Sequence, residues 1–144
     1  GPRQNSNEFA GIIPIAIKKI LNNENIIING NGEQTRDWIF VKETAKAAVE
    51  FGKLDSVVGK IINLAAGREL SVNYIVGCVV KEFPSYKGKI IHGPERPGDV
   101  RRHFADITLA KSLFGFKPKV GFEEGIKITC DWYRENLRLG DKET

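Results

Sequence analysis

The chain has 144 residues, of which 41% are hydrophobic and 28% charged, a composition typical of one globular domain that can bury a core. Its net charge of +4 comes from basic residues scattered along the sequence, which does not favour a nucleic-acid partner. No apolar run approaches the ~20 residues of a membrane span, and residues 1–8 lack the apolar region of a signal peptide. We therefore expect an intracellular, cytoplasmic protein without a membrane partner.

The first part of the chain predicts a helix followed by two strands. Apolar residues repeat with helical spacing at Ile13, Ile17, Ile20 and Leu21. Pro14 is tolerated only in a first turn, so this helix is predicted to begin near Ile12. The β-branched runs Ile26–Ile28 and Thr35–Val41 predict strands, and the Asn-Gly turn between them favours a hairpin-like pair.

The middle of the chain predicts a helix, a buried strand and a second helix. Lys42–Leu54 favours a closely packed helix, because small and apolar residues share one of its faces: Ala45, Ala48, Val49 and Gly52. Lys60–Leu64 is nearly continuous in apolar residues, as is typical of a strand in a buried parallel sheet. Ser71 is a good N-cap for a helix that ends near Phe83, before Pro84.

The last part of the chain predicts one strand and two helices. The strand is predicted at Lys89–His92, and a rigid loop follows it over residues 93–99. A helix over Ile107–Phe114 is predicted to end at Gly115, and the final helix is predicted over Gly121–Asn136. Since helices and strands are mixed throughout, the fold class is α/β or α+β.

The cysteines and histidines have no recognisable metal-binding spacing. Cys78 and Cys130 lie far apart in helical sequence contexts, so we expect two reduced, buried thiols. His92 and His103 are expected to be surface or strand residues. The sequence therefore predicts no metal site.

Arg36 and Asp37 are adjacent charges in the second predicted strand, where an unpartnered charge is costly. Their spacing alone favours an ion pair at the strand end. The alternative is an anion clamp, because a guanidinium presents a fork of donors that matches a phosphate or a carboxylate. The segment Gly30–Gly32 before them lacks the third glycine and the following helix of a dinucleotide-binding fingerprint, so we interpret it as a turn.

A second candidate site lies in the loop Arg96-Pro97-Gly98-Asp99. Pro97 stiffens this loop and Gly98 allows a tight bend. In such a loop Arg96 is able to hold a phosphate while Asp99 accepts a hydrogen bond from a sugar hydroxyl. A surface turn with solvated charges is the alternative, and the spacing does not decide between the two.

Several motifs occur in the order found in one enzyme family: Gly1-Pro2-Arg3-Gln4, Ile12-Ile13-Pro14, Gly30-x-Gly32-x-Gln34-Thr35-Arg36-Asp37-Trp38, Asn63-Leu64, Arg96-Pro97-Gly98-Asp99, Ala105-Asp106 and Phe122-Glu123-Glu124-Gly125-Ile126. From Gly1 to about Tyr133 the chain resembles the C-terminal part of NAD-dependent nucleotide-sugar epimerases and dehydratases, the extended short-chain dehydrogenase/reductase group. Its Arg-Pro-Gly-Asp-Val form is most similar to the UDP-glucose 4-epimerases.

The resemblance implies part of a larger Rossmann-type fold. The N-terminal half of these enzymes holds the NAD site and the catalytic tyrosine and lysine, and it has no counterpart in this sequence. Residues 1–136 are then expected to form a nucleotide-sugar-binding C-terminal domain, in which about 37–64 completes the Rossmann domain, with a polar tail over 137–144. The initial Gly1-Pro2 and the lack of methionine favour a processed or excised piece. We expect no catalytic, NAD-binding or metal-binding residue here, and no activity from the chain alone.

The resemblance also implies which residues bind the substrate. Arg36 and Arg96 correspond to the arginines that hold the nucleotide diphosphate, and Asp99 to the aspartate that meets the ribose hydroxyls. The remaining positions line the nucleobase pocket of the family: Gly11, Ile12, Ile27 and Asn29. Asn29 stands near the place where many relatives have an aromatic residue, and Gly11 where some have a polar one.

The expected function is the nucleotide-sugar-binding portion of an NAD-dependent epimerase, with a UDP-sugar as the favoured ligand. The alternatives are a 4,6-dehydratase or decarboxylase of the same family, or a non-catalytic ligand-binding or interaction module. In the family, Lys60–Leu64 and the helix before it pack on the N-terminal half. We therefore expect their apolar faces to be covered by a second copy of the chain, by another chain such as that half, or by rearrangement.

Overall fold

The computed structural model describes residues 1–5 and 10–137, which form a mixed α/β fold, as the sequence predicts. The elements follow in this order: α1 (Ile12–Leu21), β1 (Ile26–Asn29), β2 (Thr35–Asp37), α2 (Val41–Phe51), a 3₁₀ turn (Asp55–Val57), β3 (Glu69–Ser71), α3 (Val72–Lys81), β4 (Ile90–Gly93), β5 (Arg102–His103), α4 (Thr108–Phe114) and α5 (Phe122–Asn136). Among these helices, none is long and apolar enough to cross a membrane. Residues 138–144 of the predicted polar tail lie outside the described residues.

The strands of the described residues form two small sheets. β1 pairs with β4 in parallel, with Ile26 opposite Ile90. β2 is the central strand of the other sheet, antiparallel to β3 and parallel to β5. β1 and β2 therefore belong to different sheets, and the predicted hairpin is wrong. β2 also ends at Asp37, before the predicted end at Val41, where α2 begins.

The turn between β1 and β2 explains why these strands separate. The Gly30 N–H donates to the carbonyl oxygens of Gly93 and Pro94, each at 3.1 Å. The Gly32 carbonyl accepts from the Asn73 N–H at 3.0 Å. These bonds tie the turn to the end of β4 and the start of α3, so the chain leaves one sheet and enters the other.

The main core lies between α1, α3 and α5, which pack over the buried side of β1. Its fully buried side chains are mostly aliphatic: Ile17, Ile26, Ile28, Ile75, Val76, Val79, Cys130 and Tyr133. Ser71 caps α3 by accepting a hydrogen bond from the Tyr74 N–H, as predicted. Cys78 and Cys130 are free and buried, which confirms the expected burial of both side chains.

A second, smaller core joins α2 to α4. Its buried residues are Ala47, Ala110 and Phe116. The rings of Phe51 and Phe114 meet edge to face with 4.3 Å between their centroids. Gly115 ends α4, as the sequence predicted, and its φ of 65° is the left-handed conformation typical of a glycine at a helix end.

Residues 60–64 form no strand, so the prediction of a buried strand is wrong. Ile61 is 93% exposed, whereas Ile62 and Leu64 are half-buried against the second core. A strand needs a neighbour for its backbone N–H and C=O groups, and no strand of the described residues lies beside this segment. On α2, Val49 is 62% exposed. The face that the resemblance implied to be covered is therefore open to solvent in this chain.

Candidate functional site

β2 carries Arg36 and Asp37 on opposite faces of its sheet, because successive strand residues point in opposite directions. The Arg36 guanidinium reaches the loop between β4 and β5, where its Nη2 lies 2.6 Å from Asp99 Oδ1. Its Nη1 donates to two backbone oxygens, that of Val100 at 2.5 Å and that of Thr35 at 2.7 Å. The ion pair is thus formed with Asp99 and not within the Arg-Asp dipeptide.

Asp37 organises the turn that precedes β3. Its two carboxylate oxygens accept hydrogen bonds from the backbone N–H groups of Ala66, at 2.8 Å, and Gly67, at 3.0 Å. Gly67 has a φ of 72°, a conformation that favours glycine. Asp37 therefore has a structural role, and of the two adjacent charges Arg36 is the candidate for binding a ligand.

Gln34 is a member of the site that the sequence reasoning did not single out. Its amide nitrogen donates to the Asn29 carbonyl at 2.9 Å and to Asp99 Oδ2 at 3.3 Å. Both carboxylate oxygens of Asp99 are therefore held, one by Arg36 and the other by Gln34. The signal was present in the sequence, since Gln34 stands in the same motif as Arg36.

A cavity of about 160 Å³ opens beside these contacts, and we call it the loop cavity. Polar side chains line it: Asn29, Asn31, Gln34, Glu95, Arg96, Asp99 and Arg101. Arg101 Nη1 makes one long contact with Asn31 Oδ1, at 3.4 Å. Arg96 is exposed, and its guanidinium has no hydrogen-bond or ion-pair partner among residues 1–5 and 10–137. The guanidinium groups of Arg96, Arg101 and the neighbouring Arg36 outnumber the carboxylates of Glu95 and Asp99 around this cavity, and this excess of positive charge favours an anionic ligand.

Arg36 also lines a second cavity, of about 360 Å³, which we call the strand cavity. Its other walls come from Asp37, from residues 63–65 and from residues 103–105. Arg36 lines one cavity and its ion-pair partner Asp99 lines the other. The Arg36–Asp99 pair therefore lies between the two cavities, where an elongated ligand that occupied both would pass it.

Four of the binding residues that the resemblance implied lie together around this pair: Arg36, Arg96, Asp99 and Asn29. The others line neither the loop cavity nor the strand cavity: Gly11, Ile12 and Ile27. Ile12 packs against the main core, and Ile27 is 58% exposed on β1. A role of these three residues in holding a base stays a prediction.

The arrangement of the described residues does not fit NAD. The glycines at 30 and 32 lead into β2 and not into a helix, so they present no helix N-terminus to a pyrophosphate. No tyrosine in the sequence precedes a lysine by four positions. The described residues also contain no group of three or more side chains that could hold a metal ion. What the two cavities offer chemically is guanidinium donors from Arg36, Arg96 and Arg101 beside the carboxylates of Glu95 and Asp99.

Residues 1–129 match the family model described as GDP-mannose 4,6 dehydratase. A protein of Methanocaldococcus jannaschii with the provisional name UDP-glucose 4-epimerase is 38% identical over 138 residues, which are 96% of this chain and 44% of that protein. The dTDP-glucose 4,6-dehydratase 1 of Escherichia coli K12 is 31% identical over 140 residues, which are 90% of this chain and 38% of the relative.

A solved structure with a similar fold is the UDP-N-acetylglucosamine 4-epimerase of Methanobrevibacter ruminantium in complex with UDP-N-acetylmuramic acid. The TM-score is 0.86 at 35% sequence identity, and the match covers 95% of this chain and 44% of that one. The chain thus spans less than half the length of these relatives.

Proposed function

The chain belongs to the GDP-mannose 4,6-dehydratase family, among the nucleotide-sugar epimerases and dehydratases of the extended short-chain dehydrogenase/reductase group, and we propose that it forms the nucleotide-sugar-binding portion of an epimerase. Its fold is that of the C-terminal part of such epimerases. A UDP-sugar is the ligand we favour. The observation that carries the proposal is the Arg36–Asp99 pair, which has Arg96 beside it in the loop cavity.

Arg96 and Arg36 supply the donors for a diphosphate in this proposal. A guanidinium binds a phosphate through two parallel N–H···O bonds. No contact among the described residues uses the N–H groups of Arg96. Arg36 makes three hydrogen bonds through Nη1 and Nη2, so its Nε–H and one Nη2–H remain for an anion. Two guanidinium groups match the two negative charges that a nucleotide-sugar diphosphate carries.

Asp99 is proposed to bind the ribose. Each of its carboxylate oxygens accepts one hydrogen bond within the protein, and each has a second lone pair for a sugar hydroxyl. Because Arg36 and Gln34 fix the carboxylate, a ribose would meet it in one orientation. The amides of Asn29 and Asn31, which also line the loop cavity, offer donors and acceptors to the edge of a base.

The proposed contribution of this chain to the reaction is binding and orientation. NAD would supply the redox chemistry of the complete enzyme, and the residues of this chain do not fit that cofactor. Contacts to the diphosphate and nucleoside lie away from the reacting sugar carbon, and such remote contacts can position the sugar for reaction. The isolated chain, which we propose to be cytoplasmic, is therefore expected to bind a nucleotide without turning over its sugar.

The exposed apolar face of α2 and residues 60–64 supports a partner for this portion. Ile61 is 93% exposed and Val49 on α2 is 62% exposed, and Val58, in the connection between the two segments, is 77% exposed. Exposed apolar side chains that lie near one another mark protein contacts more often than single ones do. We propose that this face is covered by the remaining half of a full-length enzyme or, in the isolated chain, by a second copy.

A 4,6-dehydratase of the same family is the second candidate. The name of the matching family model and the similarity to the Escherichia coli dehydratase favour it. A decarboxylase, or a binding module without catalysis, would use the same anion site. The nucleotide preference of the site is the property of this chain that separates a UDP-sugar ligand from a dTDP-sugar or a GDP-sugar ligand.

Calorimetric titration of the chain with UDP, dTDP and GDP tests the proposal. We expect UDP to bind, and Arg96→Ala to weaken that binding, whereas Lys87→Ala should leave it unchanged, because Lys87 is an exposed cation outside both cavities. Absence of binding to all three nucleotides, with Arg36→Ala and Arg96→Ala having no effect in the full-length enzyme either, would favour the module without a nucleotide ligand.

A further inference from the structure

A charge cluster on the sheet of β3, β2 and β5 takes no part in the proposed binding contacts. Glu69 Oε1 accepts hydrogen bonds from Thr35 Oγ1 at 2.6 Å and from Arg102 Nε at 3.0 Å. Glu69 Oε2 accepts from Arg102 Nε at 3.2 Å and also from Arg102 Nη2. The Glu69 carboxylate on β3 is thus bound by Thr35 of the central strand β2 and, through a bidentate contact, by Arg102 of β5.

This cluster lies on the face of the sheet opposite to Arg36. In the register, Thr35 pairs with Arg102, and Asp37 pairs with Glu69. Residues paired across strands share a face, and so do residues two apart along a strand. The Glu69–Arg102 bridge therefore shares a face with Thr35 and does not point toward the Arg36 side, so its own groups are not available to a ligand there.

The bridge fixes the strand that ends the ligand-binding loop. β5 is two residues long, and it is joined to β2 by the pairs of Thr35 with Arg102 and Arg36 with His103. Asp99 lies three residues before Arg102 in the chain. Any shift of β5 along β2 would move Asp99 and the Val100 carbonyl relative to the Arg36 guanidinium that binds both.

We propose that Glu69 and Arg102 are positioning residues that set the geometry of the Arg36–Asp99 pair by locking β5 in register across β2. This inference rests on the proposed function for its meaning in nucleotide binding. An exposed ion pair adds little to stability, and Arg102 is an exposed side chain. The bridge instead restricts the relative orientation of β3 and β5, because a bidentate guanidinium–carboxylate contact forms in only one geometry.

The test uses the 144-residue chain with Glu69→Gln, Arg102→Gln and Arg102→Lys, and with Lys127→Gln as a matched control. Lys127 forms an exposed ion pair with Asp131 within α5, so its loss removes a comparable pair elsewhere. UDP affinity is measured by calorimetry, and the arginine side-chain N–H signals are recorded by NMR without ligand. The midpoint of thermal unfolding is measured for every variant.

We expect Glu69→Gln and Arg102→Gln to weaken UDP binding about fivefold and to move the Arg36 side-chain signals toward those of a free arginine. Both variants should show only a small decrease in the unfolding midpoint at neutral pH, because Arg102 is an exposed partner of Glu69. Arg102→Lys, which keeps the charge but not the fork, should recover part of both losses. Unchanged Arg36 signals in both Gln variants would overturn the proposal. If the wild-type chain binds none of UDP, dTDP and GDP, that result counts against the proposed function, and the Arg36 signals still decide the positioning role.

Discussion

The guanidinium of Arg36 and the carboxylate of Asp99, which lie 63 positions apart in the sequence, meet with 2.6 Å between Nη2 and Oδ1. Both side chains are largely shielded, with 23% and 33% of their surfaces exposed. The pair joins β2 to the loop between β4 and β5, and it lies between the loop cavity and the strand cavity. Its two members are therefore tied to each other before any ligand arrives, which lowers the entropic cost of organising the site.

The different surroundings of Arg36 and Arg96 predict different consequences of their removal. Arg96→Ala takes away a side chain without a partner in the described part of the chain, so it should weaken UDP binding and leave the free energy of unfolding unchanged. Arg36→Ala also breaks the bonds to Asp99 and Val100, so it should lower both the affinity for UDP and the free energy of unfolding. A charge-assisted bond to phosphate is worth about 1.5–3 kcal/mol, which is roughly a 10- to 150-fold loss of affinity for each variant.

Calorimetry with UDP and urea unfolding of the same preparations check this prediction. Lys87→Ala serves as the control for loss of one positive charge. Equal loss of stability in Arg36→Ala and Arg96→Ala would contradict the different roles assigned to the two arginines.

Glu69 predicts an acid dependence of stability. Hydrogen bonds from Arg102 and Thr35 lower the pKa of Glu69 to about 2, below its ordinary value of 4.5. A carboxyl whose pKa is lowered by folding stabilises the fold at pH values above its unfolded pKa. The contribution of Glu69 is therefore complete above about pH 4.5, declines below it, and is lost as the pH falls through about 2.

The measurement is urea unfolding of the wild type and of Glu69→Gln at pH 7, 4.5, 3 and 2. We expect the wild type to be the more stable protein at pH 7 and the two to converge at pH 2. A difference that stays constant from pH 7 to pH 2 would show that the Glu69 carboxylate is not stabilised by its partners.

The buried cysteines predict protected thiols. Burial raises the pKa of Cys130 to about 12. The thiolate is the form that reacts with disulfide reagents, and at pH 8 its fraction at Cys130 is roughly a thousandfold lower than in a free thiol. Cys78 is buried as well. Ellman's reagent should find no reactive thiol in the folded chain at pH 8 and two in guanidinium chloride. Rapid modification of either cysteine under native conditions would mean that the main core opens readily.

Gly32 and Gly59 form a matched pair for testing the turn that separates the sheets. Both have a positive φ, 74° at Gly32 and 73° at Gly59. A Cβ at Gly59 would meet nothing within 4 Å, whereas a Cβ at Gly32 would collide with the Asn73 side chain. Gly59→Ala should cost about 1 kcal/mol from its backbone alone, and Gly32→Ala should cost distinctly more. Urea unfolding measures both values, and equal costs would mean that Asn73 moves aside freely.

The helices were predictable from the sequence because each has a long amphipathic repeat or a specific end signal. The spacing of Ile13 and Ile17 located α1, Ser71 located the start of α3, and Gly115 the end of α4. β3 and β5 have three and two residues, too few for an alternating pattern to be recognised. The segment 60–64 has the composition of a buried strand but no partner strand among the described residues. Amino-acid composition alone cannot show whether a neighbouring strand is present to pair with it.

The candidate site was predictable only in part, for a related reason. Motif order brought Arg36, Arg96 and Asp99 into one site, and the structure groups them around adjoining cavities. Spacing alone favoured an ion pair of Arg36 at the strand end, and it could not identify Asp99 as the partner. A contact between residues that distant in the sequence depends on the register of β2 against β5, which no local pattern specifies.

The exposed face of α2 and residues 60–64 predicts self-association of the isolated chain. Ile61 is almost fully exposed, so Ile61→Asp should leave the free energy of unfolding within about 0.5 kcal/mol of the wild type. The same change places a charge in the proposed contact, where it should shift a dimer toward monomer in sedimentation experiments as the concentration is lowered. Lys60→Gln is the control, because it alters charge beside Ile61 and keeps the apolar surface. A wild-type chain that stays a compact monomer at every concentration, with the same sedimentation behaviour as Ile61→Asp, would exclude a second copy as the cover of this face.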